Sequence, residues 1–137
     1  MKSGIWSGRR APTLEDLEQI AAGAYAALPE RFRKLTEGVT IRVADLPDPD
    51  VLKELGLDNE FDLLGLFQGI GMAQDGAAPE SGRMPNMIFL YRRAILDYWA
   101  ENEDTLDHIV THVLVHEIGH HFGFSDEDME AIEAATA

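Results

Sequence analysis

The sequence predicts a single α+β domain with five helices and three short strands. Three observations lead to this prediction. The chain has 137 residues, 45% of them apolar, which is enough to bury one core. Apolar residues recur at helical spacing near both ends, over residues 13–28 and 104–122. Between these segments lie three short apolar or alternating runs that are typical of strands.

The first predicted helix covers residues 13–28. Thr13 and Asp16 have the spacing of a capping box at its start, and Pro29 ends the apolar repeat. Residues 1–12 carry no such repeat, so we expect a flexible N-terminal arm there. The rest of the chain, from residue 13 to residue 137, is then one domain.

The middle of the chain contains the predicted strands. Val39–Val43 alternates β-branched and polar residues, whereas Leu63–Phe67 and Met87–Tyr91 are short apolar runs typical of buried strands. A turn rich in proline and aspartate precedes a short helix that reaches Leu55 and ends at Gly56. Residues 69–85 hold four glycines and two prolines and are predicted to be a mobile loop.

Three helices are predicted after the last strand, over residues 92–100, 104–122 and 126–135. The second is apolar around most of its circumference, which indicates a central, buried helix.

Composition narrows the possible functions. The 25 acidic and 11 basic residues give a formal charge of −14, which disfavours binding to nucleic acid. Cysteine is absent, so neither a disulfide framework nor a cysteine zinc site can form. The first 12 residues lack the apolar stretch of a signal peptide, and no apolar run is long enough to span a membrane. We therefore expect a cytoplasmic protein that binds neither membranes nor nucleic acid. The sequence leaves open whether it is a monomer or a homodimer.

Residues 116–126, HEIGHHFGFSD, contain the chemistry of this chain. His116 and His120 are four residues apart on the long helix, about 40° apart around its axis, so both imidazoles can reach one metal ion. Glu117 is placed to meet a water bound to that metal. A catalytic zinc takes three protein ligands, and Asp126 is the best candidate for the third. Gly123 lies where the chain must reverse to bring Asp126 back.

Other interpretations of these residues remain open. The two histidines could simply be hydrogen-bonded to their neighbours. Ser125 and Asp128 have capping-box spacing, so Asp126 could be a first-turn acid stabilised by the helix dipole, with His121 as a rival metal ligand.

Three further residues are weaker candidates for the site. His112 lies one helical turn before His116 and could orient a ligand or donate to the transition state, although a half-buried structural histidine is the simpler interpretation. His121 points about 100° away from His120, so it is expected to donate to a backbone carbonyl or line the cleft. Tyr91 could stabilise an oxyanion at the end of its strand, but tyrosines there usually serve packing.

The run HEIGHHFGFSDEDM resembles the minimal zincin-like metallopeptidase family of bacteria, whose members carry H-E-x-x-H-x-x-G-x-x-D. Three upstream segments support the resemblance: LPERFRKL (28–35), LLGLFQG (63–69) and NMIFLYR (86–92). It implies one zinc ion held by His116, His120 and Asp126, with Glu117 as the catalytic acid and base. It also implies a zincin-like α+β fold, with a small mixed sheet packed on the active-site helix. In zincins an edge strand lies beside the substrate, and Met87–Tyr91 is our candidate for it.

One departure from larger zincins concerns the support beneath the metal. Those proteins continue into a C-terminal subdomain, often with a methionine turn below the ion. Only 11 residues follow Asp126 here, and Met129 is too close in sequence to form a separate turn. The sequence therefore does not identify what replaces it.

Three functional hypotheses follow. The leading one is a zinc-dependent metallopeptidase that hydrolyses peptide bonds, in which Glu117 takes the proton of a metal-activated water. The alternative is a non-enzymatic, zincin-shaped protein whose site is vacant or structural and which acts through partners. A metal-dependent endoribonuclease is a minor alternative, because the acidic charge opposes RNA binding.

Overall fold

A computed structural model describes residues 4–68 and 86–136. The predicted loop over 69–85 lies outside the described residues. The elements in chain order are α1 (Leu14–Ala26), α2 (Glu30–Leu35), β1 (Thr40–Ala44), α3 (Pro49–Leu55), a short 3-10 turn (Glu60–Asp62), β2 (Gly65–Gln68), β3 (Met87–Tyr91), α4 (Arg92–Glu101), α5 (Leu106–Phe122) and α6 (Asp126–Thr136). This confirms the α+β prediction.

The three strands form one mixed sheet in the order β1-β3-β2. β1 runs parallel to β3, with Thr40 opposite Met87, and β2 runs antiparallel to it, with Gly65 opposite Leu90. The expectation that Met87–Tyr91 is an edge strand is therefore wrong, because β3 has a neighbour on each side. Its nearly continuous apolar sequence is itself typical of a central strand that is covered on both faces. The strand beside α5 that has only one partner among the described residues is β2.

The helices α1 and α5 pack against each other and against the sheet. Ile88 and Leu90 of β3 are fully buried, as are Leu17 of α1 and Leu114 of α5. Eight of the 17 residues of α5 are buried, which confirms that it is the central helix. The backbone of α5, which carries the histidines, is therefore fixed in place by the core of the domain.

Local signals in the sequence set several helix ends. Asp16 N–H donates to Thr13 Oγ1 at 3.1 Å and Thr13 N–H donates to an Asp16 carboxylate oxygen at 2.8 Å, which confirms the first capping box. Gly56 ends α3 in the left-handed conformation, as predicted. Residues 4–10 are exposed, and the division into an arm and a domain stays a prediction.

The short helix α2 was absent from the predicted elements. α1 ends at Ala26, two residues before the predicted end at residue 28, and Pro29 directly precedes α2, where its φ of −56° is compatible with the start of a helix. Six residues are too few for a helical repeat to stand out in the sequence. No helix in the described ranges is long and apolar enough to cross a membrane.

Candidate metal centre

The helix α5 presents His112, His116 and His120 at four-residue steps. It begins at Thr105, whose side chain accepts from the backbone N–H of His108, and ends at Gly123 with φ of 78°. The 17 residues between these ends form an uninterrupted rod, so the three imidazoles lie in a row with a shallow drift around the axis.

His116 lies between two other imidazoles. Its ring centroid is 3.9 Å from that of His112 and 5.8 Å from that of His120, and the His120 ring is nearly perpendicular to it. Burial is the main reason why the pKa of His116 is lowered, and a positive charge on His112 would lower it further, whereas Glu133 opposes the effect. The neutral, metal-binding form of this imidazole is therefore favoured.

Glu133 of α6 reaches the same part of α5. One carboxylate oxygen lies 3.0 Å from Nδ1 of His112 and the other lies 3.2 Å from Nε2 of His116. Within residues 4–68 and 86–136, His112, His116 and Glu133 are the one group of three possible metal ligands whose donor atoms all lie within 4.8 Å of one another.

Asp126 begins α6 and is exposed. Ser125 and Asp128 form the expected capping box directly around it, with Asp128 N–H donating to Ser125 Oγ at 3.1 Å. Asp126 and Glu133 are seven residues apart, so they lie on nearly the same side of α6, about 20° apart. Asp126 does not join His116 and His120 in a group as tight as the one around Glu133. Its role as third ligand stays a prediction.

Glu117 faces β2. A methyl group added at Gly65 would lie 3.5 Å from Cγ of Glu117, so this carboxylate side chain passes close to the strand backbone. Burial raises the pKa of Glu117, while a positive charge on His120 and a hydrogen bond from the backbone of Phe67 lower it. Glu117 is thus a shielded carboxyl group held between the long helix and the β2 strand.

Two further predicted residues border this region. The ring of His121 stacks on Phe67 of β2, with centroids 3.9 Å apart, so it lies against the sheet rather than among the other histidines. Tyr91 is almost completely buried, and burial raises its pKa to about 12, with smaller contributions from Asp48 and from Glu117. Its hydroxyl therefore stays protonated at neutral pH and near enough to Glu117 to sense its charge.

Met129 packs against α5 at Gly119. It is 1% exposed, and a methyl group added at Gly119 would lie only 2.4 Å from its sulfur atom. Gly119 thus lets α6 approach α5 closely between His116 and His120. Met129 is in helix α6 and does not form a separate turn.

Sequence reasoning missed Glu133 and Phe67. Glu133 had one available signal, its seven-residue separation from Asp126, which places both acids on one side of a helix. Phe67 donates a backbone hydrogen bond to Glu117 and stacks its ring on His121, and no sequence pattern predicts either contact.

A sequence model of the zincin-like metallopeptidase family matches residues 36–136. This range includes the sheet, α5 and α6, and it is well over half of the chain. The chain therefore belongs to the zincin-like metallopeptidase family.

Two individual proteins are also similar to it. The S-adenosylmethionine:tRNA ribosyltransferase-isomerase of Cereibacter sphaeroides (strain KD131 / KCTC 12085) is 33% identical over 81 residues, which are 59% of this chain but 22% of that protein. A conserved hypothetical protein from Thermo thermophilus has a similar solved structure, with a TM-score of 0.54 and 22% identity over 81% of this chain and 94% of the other. That likeness supports the fold alone.

The chemistry of the donor set fits the zinc ion that the family implies. Zinc binds imidazole nitrogens and carboxylate oxygens, and α5 and α6 bring two histidines, His112 and His116, together with the carboxylate of Glu133. Since the chain has no cysteine, histidine and carboxylate are the strong zinc ligands that it can offer.

Proposed function

We propose that this protein is a zinc-dependent peptidase. The zinc ion would be held by His116, His120 and Asp126, and Glu117 would act as general base and then as general acid. One observation carries the proposal, in a chain that belongs to this family. Glu117, the glutamate of the H-E-x-x-H motif, is a shielded carboxyl group beside β2, a strand that pairs on one side only within the described ranges.

The zinc ion, when bound, supplies a Lewis acid that lowers the pKa of water to about 7. Glu117 would supply the base that accepts the proton from this water. Because burial raises its pKa, its affinity for a proton is closer to that of the group it must deprotonate. The hydrogen bond from Phe67 and the adjacent Gly65 hold the carboxylate in place, so it can take a proton from water and deliver it to the departing amine.

The β2 strand gives a peptide substrate a place to bind. Residues Gly65–Gln68 pair with β3 on one side, and within the described ranges no strand pairs with their other side. An extended peptide could add there by backbone hydrogen bonds, which are largely independent of sequence. Such a peptide would pass beside Glu117.

Tyr91 is proposed to assist by donating a hydrogen bond. Its raised pKa, about 12, keeps the hydroxyl protonated over the whole pH range in which Glu117 would act. Because the side chain is only 3% exposed, its hydroxyl would act on the charge of the Glu117 carboxylate and not by contact with the substrate. His112 and His121 are assigned no catalytic step.

The first experiment measures zinc content after purification without chelator, followed by cleavage of a mixed peptide library. We expect one zinc ion per chain in the wild type and in Glu117→Gln, with cleavage lost only in the variant. Glu130→Gln is the matched control, because it removes an exposed carboxylate from α6. If Glu117→Gln cleaved peptides as fast as the wild type, its assignment as general base would be wrong.

A non-enzymatic role is the second candidate. It is favoured by the arrangement of His116, because the Nε2 atom that would bind the catalytic zinc ion lies 3.2 Å from a carboxylate oxygen of Glu133. A protein that bound zinc but cleaved no member of the library would support this alternative.

Substrate and location complete the proposal. The substrate class is a peptide or protein, and nucleic acid is disfavoured by the charge of −14. The absence of cysteine is compatible with a reducing compartment, so we propose that the protein works in the cytoplasm.

A further inference from the structure

We infer that His112, His116 and Glu133 form a second binding site for a divalent transition-metal ion, which shares His116 with the proposed catalytic site. The inference starts from the convergence of three side chains from two helices. His112 and His116 are one turn apart on α5, and the Glu133 carboxylate of α6 contacts both rings.

The distances suit a metal ion. For bonds of about 2.1 Å, neighbouring ligand atoms are about 3.0 Å apart in an octahedral site and about 3.4 Å apart in a tetrahedral one. The two contacts of Glu133 are 3.0 and 3.2 Å, and all three donor atoms lie within 4.8 Å of one another. Small side-chain rotations are therefore sufficient to place an ion between them.

The donor types select a class of ion. Two imidazole nitrogens and one carboxylate oxygen suit Zn²⁺ and its neighbours Co²⁺ and Ni²⁺ better than Mg²⁺ or Ca²⁺, which prefer oxygen ligands. With neutral imidazoles the group carries one negative charge, in a chain whose formal charge is −14. Both features attract a divalent cation.

Glu133 has no competing cationic partner among the described residues. The salt bridges of its carboxylate in those ranges are with the two histidines alone, although its side chain is only 14% exposed. A carboxylate shielded to this extent requires a hydrogen-bonded or charged partner. Two imidazoles satisfy it when they donate protons, and a metal ion bound to all three would satisfy it more strongly.

The group is accessible to ions from solvent. The side chain of His112 is 52% exposed. Two surface grooves also reach this side of α5: one of about 520 Å³ is lined in part by Glu133 and His108, and one of about 340 Å³ is lined in part by His112 and Val113.

Sharing of His116 makes the two sites competitors. An imidazole nitrogen donates its lone pair to one ion, so Nε2 of His116 cannot bind an ion beside Glu133 and another beside His120 at once. If the proposed function holds, a molecule whose ion lies beside Glu133 lacks a complete catalytic site, and the fraction of such molecules is set by the relative affinities of the two sites and not by the zinc concentration. Binding of the ion does not itself depend on the proposed function.

Zinc titration of the full chain after chelator treatment separates the two sites. His120→Asn and Asp126→Asn together remove the ligands unique to the proposed catalytic site, whereas Glu133→Gln removes one unique to the new site. We expect the His120→Asn/Asp126→Asn protein still to bind one Zn²⁺ by calorimetry. Adding Glu133→Gln to it should weaken binding at least about 10-fold, since even groups that only orient ligands contribute roughly 10–100-fold.

A spectroscopic readout and a matched control complete the test. Co²⁺ bound to the His120→Asn/Asp126→Asn protein should give visible absorption bands that disappear when Glu133→Gln is added. Glu130→Gln in the same background should leave the Zn²⁺ affinity unchanged, and circular dichroism would verify that each variant is folded. The inference is overturned if the His120→Asn/Asp126→Asn protein is folded and binds no Zn²⁺, or if Glu133→Gln leaves its Zn²⁺ affinity intact. Loss of peptidase activity in Glu117→Gln would bear on the proposed function only.

Discussion

The contact between Gly119 and Met129 allows a sharp prediction about how α6 is held against α5. In Gly119→Ala, the new methyl carbon would lie 2.4 Å from the sulfur of Met129 and 2.8 Å from its Cγ. Both distances are far below van der Waals contact, and Met129 is 1% exposed, so its side chain cannot simply move out into solvent. The substitution must therefore push the two helices apart or force Met129 into a poorer rotamer.

Two opposing effects determine the magnitude. Alanine is favoured over glycine inside a helix by about 1 kcal/mol. Overpacking a core typically costs about 1–3 kcal/mol. We expect Gly119→Ala to lower the free energy of unfolding by about 1 kcal/mol, which corresponds to roughly 4 °C in Tm for a domain of this size.

Gly23→Ala is the matched control. Gly23 is also helical, in α1, but an added methyl group there meets nothing within 4 Å. The control should therefore gain up to about 1 kcal/mol from helix propensity alone. Chemical denaturation of both variants should give a difference of about 2 kcal/mol between them.

A double-mutant cycle identifies the cause. Met129→Ala removes both atoms that the new methyl group would meet, so in that background Gly119→Ala should become neutral or stabilising. If Gly119→Ala stabilised the otherwise unchanged protein as much as Gly23→Ala does, the close approach of α6 to α5 would be refuted.

Three further predictions concern the surroundings of the site. Gly123→Ala should cost about 1 kcal/mol of stability in denaturant unfolding, because the φ of 78° is strained for alanine, although an added Cβ meets nothing within 4 Å. Gly123→Asn should cost less, because asparagine tolerates this left-handed conformation better. Equal effects of the two substitutions would contradict the left-handed conformation of Gly123. Gly65→Ala should lower the free energy of unfolding by about 1–3 kcal/mol, because its methyl group would lie 2.6 Å from Cγ1 of Val113, a β-branched side chain with little rotameric freedom. A stabilised variant would contradict the packing of β2 on α5. Tyr91 should ionise near pH 12 in an absorbance titration. Since its pKa in the folded protein lies above the usual value of about 10, the stability that its protonated form contributes is complete below pH 10 and is lost as the pH rises towards 12. Tyr91→Phe should remove this dependence of stability on pH.

Elements encoded by local signals were predictable from the sequence. The length of α5 followed from its apolar repeat and its flanking residues, and the capping boxes at Thr13 and Ser125 formed as their spacing predicts. Such features depend on residues three or four positions apart, so each can be recognised without knowledge of the fold.

Features that depend on packing between distant elements were not predictable in this way. The place of Met87–Tyr91 at the centre of the sheet depends on pairing with β1 and β2 on either side. The contacts of Glu133 with His112 and His116 depend on the rotation and depth at which α6 packs on α5, which Gly119 and Met129 set together. A single sequence contains the residues that make these contacts but not their pairing.

Anomalous diffraction at the zinc edge tests the central claim most directly. Crystals of the Glu133→Gln protein with one equivalent of zinc are the suitable sample, because the competing group is then incomplete. We predict one anomalous peak, within bonding distance of His116, His120 and Asp126, with the Glu117 carboxylate near the ion but not bound to it. An ion that contacts neither His120 nor Asp126, or one that Glu117 ligates directly, would contradict the proposed active site.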